Sequence, residues 1–280
     1  MLAFAYGWLL VAQPDRAKRR ALVIQILVIA VSAWAAEETS ILRYRFYGYP
    51  DTWWLKLDEM PLLVAFIWPM VIVSSRQLVD VLFPGLGPAK KALALGVAVV
   101  IDASLVETIA VASGLWSWVE GGYLGAPLIG LVGWGAFAAA MTYSLEHPKI
   151  PLWLTPLTAL AGTHLILVVS WWALFRHALR GELPSWTAFL GVAALVGLAA
   201  WLRMRRAGAG RKIPLTLAVP RVAATSVFVV LLFLNANAYL VLHFAAVALL
   251  YLALLDLPFS RSSSVRQPAA ARAQRAPEKP

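Results

Sequence analysis

Two carboxylates, Asp102 and Glu107, stand inside the apolar run Val100-Ile-Asp102-Ala-Ser-Leu-Val-Glu107-Thr108-Ile-Ala-Val-Ala. A charged group at bilayer depth costs at least about 2.5 kcal/mol on insertion scales, so neither acid should face lipid. At about 100° and 1.5 Å per residue the two lie roughly 140° apart around a helix and some 7 to 8 Å apart along it. They do not share a face. Glu107 lies over Ala103, Ser104, Ala110, Val111 and Gly114, a stripe of small or β-branched residues that lets another helix approach closely. Glu107 is therefore expected to point into a bundle. A carboxyl kept protonated in an apolar pocket is a competent general acid; the plainer use of such a group is a structural hydrogen bond between helices.

Other groups could join it. Glu37 and Glu38 directly follow Trp34-Ala-Ala, and at least one should turn inward. Tyr44, Tyr47, Tyr49, Trp53 and Trp54 read as an interfacial aromatic belt or as a substrate-binding wall. His164 and His243 read as interhelical hydrogen-bond donors or as partners for an acid. The four histidines never fall at i, i+3 or i+4, which removes the clusters of a membrane di-iron oxygenase. With no cysteine there are no disulfides, thiolate metal sites or cysteine nucleophiles. Gly85-Leu-Gly-Pro-Ala-Lys90 lacks the GK[ST] ending of a phosphate loop and reads as an interhelical turn. No metal and no cofactor is expected.

The elements that must carry these groups follow from composition. The chain is 61% hydrophobic and 14% charged, too little polar surface for a soluble globule of 280 residues, so an all-α polytopic membrane bundle is expected. Apolar runs of span length fall near 21–36, 61–75, 92–118, 122–145, 152–176, 186–202, 220–236 and 238–256. Asn235-Ala-Asn237 divides the last two, which could also form one kinked helix. With the N-terminus cytoplasmic, the basic residues of Arg16–Arg20, Arg76, Lys90, Lys91, Lys149, Arg203–Lys212, Arg221 and the C-terminal tail share one side, and Arg43, Arg45, Lys56, Arg176 and Arg180 remain opposite. That bias sets both termini in the cytoplasm. The net charge of +10 is then a topology signal and not one for nucleic acid. Residues 1–20 read as an interfacial or re-entrant segment with a basic cluster, 21–258 as the bundle, and 259–280 as a disordered basic tail that grazes anionic lipid headgroups.

The run from Asp102 to Trp134 resembles the signature of membrane carotenoid-biosynthesis proteins of the bisanhydrobacterioruberin hydratase type. The matching pieces are Asp102, the acid at Glu107, Gly114-Leu-Trp116-Ser-Trp118, Tyr123-Leu-Gly125-Ala-Pro127-Leu and Gly133-Trp134. Upstream, Glu37 or Glu38 and Glu59-Met-Pro61-Leu-Leu-Val-Ala-Phe-Ile-Trp68 are similar to the family's earlier Glu and its Pro-Leu to Trp helix. The chain departs at Glu107-Thr108, where the family tends to have Asp-Pro, and at Gly130, where it has an Asn.

The resemblance implies a long polyene dissolved in the bilayer, with a trisubstituted alkene as its reactive end. Protonating that alkene gives a tertiary carbocation, so the protein must supply a dry acid and decide what captures the cation. Water gives hydration; an internal double bond gives cyclisation. Glu107 is expected as proton donor, Asp102 as its orienting or relay partner, and Glu37 or Glu38 as the group closing the site. Trp116, Trp118, Trp134, Tyr123 and His164 are expected against substrate. The expected location is a bacterial cytoplasmic membrane. A proton-coupled or lipid carrier would show a polar cavity near the midplane. A non-catalytic accessory subunit would show no cavity at the acids.

Overall fold

The computed structural model describes residues 2–13, 15–176, 214–235 and 237–254. The expected span at 186–202, the basic run Arg203–Lys212 and the tail at 259–280 lie outside them. The described chain is mainly helical: α1 (Leu2–Val11), α2 (Arg16–Tyr44), α3 (Leu62–Leu82), α4 (Pro88–Ala112), α5 (Leu128–Glu146), α6 (Thr155–Ser170), α7 (Leu215–Leu234) and α8 (Ala238–Leu254). A π-helical turn, Trp171–Phe175, follows α6. Six helices among the described residues are long and apolar enough to cross a membrane.

Several boundaries differ from the apolar runs, each for a local reason. α2 starts at Arg16 because Asp15 caps it, its carboxylate accepting the Lys18 N–H at 2.7 Å. α3 continues past Ser75 to Leu82 although Arg76 and Asp80 are charged. Arg76 pairs with Glu146, while Lys91 sits 2.8 Å from Asp80 and 3.1 Å from Glu146. These pairs gather the ends of α3 and α5 around the start of α4. α4 stops at Ala112 rather than running to Trp118, because Gly114 turns the chain into the left-handed region at φ 68°. The last two helices are separate elements divided at Asn235, whose amide reaches the Ser113 hydroxyl at 2.9 Å.

The core is built by α2, α3, α4 and α5 around Ile29, Ala33, Val64, Ile72, Leu95, Val99, Phe137 and Met141. α4 and α5 approach closely at Gly96 and Gly135: a Cβ added at either would stand 3.0 Å from the other's carbonyl oxygen. Small residues on both faces permit that contact. α1 packs across α3 and α7, the Tyr6 hydroxyl donating to the Phe66 carbonyl at 2.5 Å.

Two loops close the end of the bundle where α2 and α4 finish. Strand β1 (Tyr47–Gly48), in the loop after α2, pairs antiparallel with β4 (Ser117–Trp118), in the loop after α4, with Tyr47 opposite Trp118. The Val119 N–H adds a bond to the Phe46 carbonyl at 2.8 Å. The first loop also folds a short hairpin of β2 (Lys56–Leu57) and β3 (Met60–Pro61). Thus two segments separated in sequence by the whole of α3 and α4 are fixed to each other over the ends of their helices.

Candidate functional site

Glu107 lies near the end of α4, within its last two turns, with 2% of its surface exposed. Ala103, Ser104 and Ala110 are buried beside it, so this part of the small-residue stripe turns into the bundle, while Val111 is half-buried and Gly114 exposed. Its carboxylate accepts three indole N–H groups: Trp116 at 2.8 Å and Trp118 at 3.0 Å on Oε2, and Trp134 at 2.5 Å on Oε1. Trp116 and Trp118 reach it because the chain folds back after Gly114; Trp134 comes from α5. An indole N–H donates and cannot accept, so three of the roughly four acceptor positions of the carboxylate are filled by pure donors. Each such bond to a charged oxygen contributes about 1.5–3 kcal/mol. The cage is complementary to negative charge on Glu107.

A second carboxylate stands in the same place. Glu37, on α2, accepts the Tyr47 hydroxyl and the Tyr49 hydroxyl (3.2 Å) on Oε2 and the Trp68 indole N–H (3.0 Å) on Oε1. Aromatic contacts join the two cages: Trp68 to Trp134 with ring centroids 4.7 Å apart, and Tyr47 to Trp118 also at 4.7 Å. Tyr49 lies edge-on to Trp116 and to Trp53. Burial, reinforced by Glu37, pushes both tyrosine hydroxyls well above their ordinary range near 10, so they remain donors.

Both acids line one cavity of about 1300 Å³, whose walls are mostly apolar and come from all eight described helices and the loops after α2 and α4. A volume at or beyond the top of the usual range for small-molecule sites suits a long ligand. Among the described residues no three His, Asp or Glu side chains converge as metal ligands.

The remaining expected site residues are distributed differently. Asp102 lines the same cavity but does not meet Glu107. It pairs with Arg221 of α7, whose Nη2 is 3.0 Å from Oδ2 and Nη1 3.4 Å from Oδ1, and it accepts the Tyr251 hydroxyl. The angular offset between positions 102 and 107 keeps the two acids on different sides of α4, and no hydrogen bond joins them. Glu38, one residue on from Glu37, turns about 100° away and accepts the backbone N–H groups of Glu59 (3.3 Å) and Met60 (3.1 Å). His164 joins α6 to α2 through Thr39 (2.7 Å) and Tyr44 (2.8 Å), and does not line the large cavity. Tyr123 also stays outside it, edge-on to the ring of His243, which is bonded to the Ser104 carbonyl at 3.0 Å.

Arg221, which the charge count places in the cytoplasm, lies inside α7 as an internal counter-ion. The sequence carries a signal for it: a lone arginine after Pro220 in an apolar run, and an intramembrane Asp102 in need of a cation. The Glu37 partners are visible there as belt or substrate-wall aromatics, Tyr47 and Tyr49, and as the end of the Pro-Leu to Trp segment, Trp68, but nothing local to residues 47–49 points them at Glu37. Gly130 also gains a reason. A Cβ there would stand 2.5 Å from Cζ2 of Trp118, so the indole that reaches Glu107 occupies the space an Asn side chain would need.

Comparison with protein-family models, with curated proteins and with solved structures gives no match to the chain.

Proposed function

We propose that this protein is an integral membrane enzyme of isoprenoid metabolism that protonates a terminal alkene on a long lipophilic polyene, in the manner of the carotenoid hydratases its signature resembles. The observation that carries the reading is a buried carboxyl, Glu107, with three indole donors on its oxygens at the edge of a large apolar cavity.

The Glu107 proton adds to the CH carbon of a trisubstituted alkene, whose π pair forms the new C–H bond and leaves a tertiary cation on the neighbouring carbon. The three N–H groups stabilise the carboxylate that remains, and they are already in place before charge develops there. The faces of Tyr49, Trp53 and Trp116, which line the cavity, stabilise the cation by about 2 kcal/mol where it is shielded from bulk solvent. In hydration, a water oxygen bonds to the cation and loses a proton to Glu37; in cyclisation, the π pair of an internal double bond forms the new C–C bond, and the cation this leaves loses a neighbouring C–H proton to Glu37 and becomes an alkene. The apolar walls favour this reading over a carrier, which needs a polar pathway, and over an accessory subunit, which needs no cavity.

Eight spans with both termini in the cytoplasm of a bacterial inner membrane complete the proposal. Arg76 and Lys91, both on the side counted as cytoplasmic, meet at Glu146, which supports that arrangement. The test is pigment composition in cells carrying Glu107→Gln in place of the wild-type gene. The account expects the substrate to accumulate at an unchanged level of membrane-inserted protein. Pigments identical to wild type would remove Glu107 as the donor.

A further inference from the structure

Proton transfer at Glu107 gives helix α1, the short apolar segment before the basic cluster, no part to play. α3 and α7 touch where α3 ends and α7 begins, through Leu78 and Leu82 on one and Leu217 and Ala218 on the other. They meet again where Arg221 donates to the Ser75 hydroxyl at 2.9 Å. Past that point the cavity lies between them, lined by Leu63, Ile67 and Met70 of α3 and by Val227 and Val230 of α7. α1 packs against both helices, and its Leu2, Ala3 and Ala5 complete the wall. The rim is apolar: among the described residues Phe4, Leu63, Phe66 and Val230 are exposed. That suits a chain arriving from the bilayer.

The two halves of α1 are held differently. Leu9 is buried in the main core with Ile29 and Ala33, and just after the helix the Gln13 carbonyl accepts from Arg19 Nε at 3.3 Å. The Leu2–Tyr6 half supplies the cavity wall. Its Tyr6 hydroxyl donates to the Phe66 carbonyl at 2.5 Å, the one side-chain hydrogen bond from α1 to α3 or α7 among the described residues. That acceptor lies at a turn of α3 where Pro69 supplies no N–H to the helical ladder. Between the halves stands Gly7, with nothing within 4 Å of where a Cβ would be; a glycine inside a helix weakens it. We propose that α1 is the door of a side entrance between α3 and α7: its Leu2–Tyr6 half swings out about Gly7, releasing Tyr6 from Phe66, and admits a lipophilic chain from the bilayer. This rests on the reading that the cavity holds such a chain. One hydrogen bond and a weakened helix make a closure that opens locally without unfolding the bundle, while β1 and β4 keep their two loops joined over the ends of α2 and α4. The door sets how fast the chain exchanges and not how tightly it is held.

Exchange kinetics test this without any turnover. The purified full chain in lipid nanodiscs is mixed with an all-trans conjugated C18 tetraene hydrocarbon, and energy transfer from tryptophan to the tetraene is followed in time. The saturable phase after the probe has dissolved in lipid is entry, and a chase with protein-free nanodiscs gives release. Tyr6→Phe removes the latch and should speed entry and release together, by about three- to tenfold. Gly7→Ala stiffens the hinge and should slow both, by about threefold. Neither residue lines the cavity, and the closed door is the same with or without a chain inside, so the dissociation constant should stay within about twofold of wild type in both variants. Equal entry rates in wild type and Gly7→Ala would overturn the proposal whatever Tyr6→Phe does to folding, since the added methyl meets open space. A change of affinity at an unchanged entry rate would make α1 a fixed wall and overturn it as well. With no saturable phase in the wild type, the chain-binding reading falls and the door with it. Rates that move as expected in a protein that leaves alkenes unprotonated would support the door and remove only the acid chemistry.

Discussion

Trp68 and Trp134 lie with their ring centroids 4.7 Å apart, and each gives its indole N–H to a different carboxylate, Trp68 to Glu37 and Trp134 to Glu107. The two acids are therefore held by one aromatic assembly. A displacement of either ring is felt at both carboxylates, which makes the site a unit rather than two independent hydrogen-bonded acids.

Glu37 and Glu38 are adjacent and chemically identical, yet they should behave differently. Glu37→Gln puts an amide NH2 against hydroxyl and indole donors and is expected to lower turnover by about 100-fold or more, in the range of general acid–base contributions. Glu38→Gln should leave turnover within a few fold and lower stability by about 1 kcal/mol through weaker bonds to Glu59 and Met60. Turnover and thermal unfolding measured on both variants check this. Equal losses of turnover would contradict the assignment.

Gly130→Asn is expected to lose activity, although it restores the residue type of the family that the signature resembles. The new Cβ would meet the Trp118 ring at 2.5 Å, and overpacking of this kind costs about 1–3 kcal/mol. The ring must move, and its bond to Glu107 goes with it. Thermal unfolding together with tryptophan emission reads both effects. An unperturbed spectrum and unchanged stability would show that Trp118 does not hold that position.

Tyr47 and Tyr49 should resist ionisation. Burial, with Glu37 beside them, holds both hydroxyls well above their ordinary range. A group raised in the folded state contributes stability that is present below its unfolded value of about 10 and is lost as pH rises through the folded value. A difference absorbance titration at 295 nm between wild type and the Tyr47→Phe, Tyr49→Phe double variant should show no ionisation step in the ordinary tyrosine range near pH 10. A step near pH 10 would mean that the two hydroxyls stand in water.

Much of this is legible in the residues. The hydropathy of α2 to α8 marks apolar helices, and the spacing of Asp102 and Glu107 already puts them on different faces, since a helix places side chains at fixed angles, although the expectation has the two act as partners. The small residues around Glu107 give its direction. What the sequence hides is set by non-local pairing. Trp116 and Trp118 read as a continuation of α4 until Gly114 breaks it, and Tyr47 reads as belt until the strand containing Trp118 arrives opposite it. Charge counting misplaces Arg221, because a positive residue near a helix end looks the same in sequence whether it faces cytoplasm or an internal acid. Likewise Arg76 and Asp80 look like the end of a span, while pairing with Glu146 and Lys91 lets α3 continue.

The central claim is proton transfer from Glu107 to carbon, and solvent isotope incorporation tests it most directly. After the purified protein has equilibrated in D2O, a polyene with a trisubstituted alkene end is converted and the product is examined by mass spectrometry and NMR. The account predicts one deuterium on the former CH carbon of that alkene, whether water or an internal double bond traps the cation, and no labelled product from Glu107→Gln. Product without deuterium at that carbon, or the same labelling in Glu107→Gln, would contradict it.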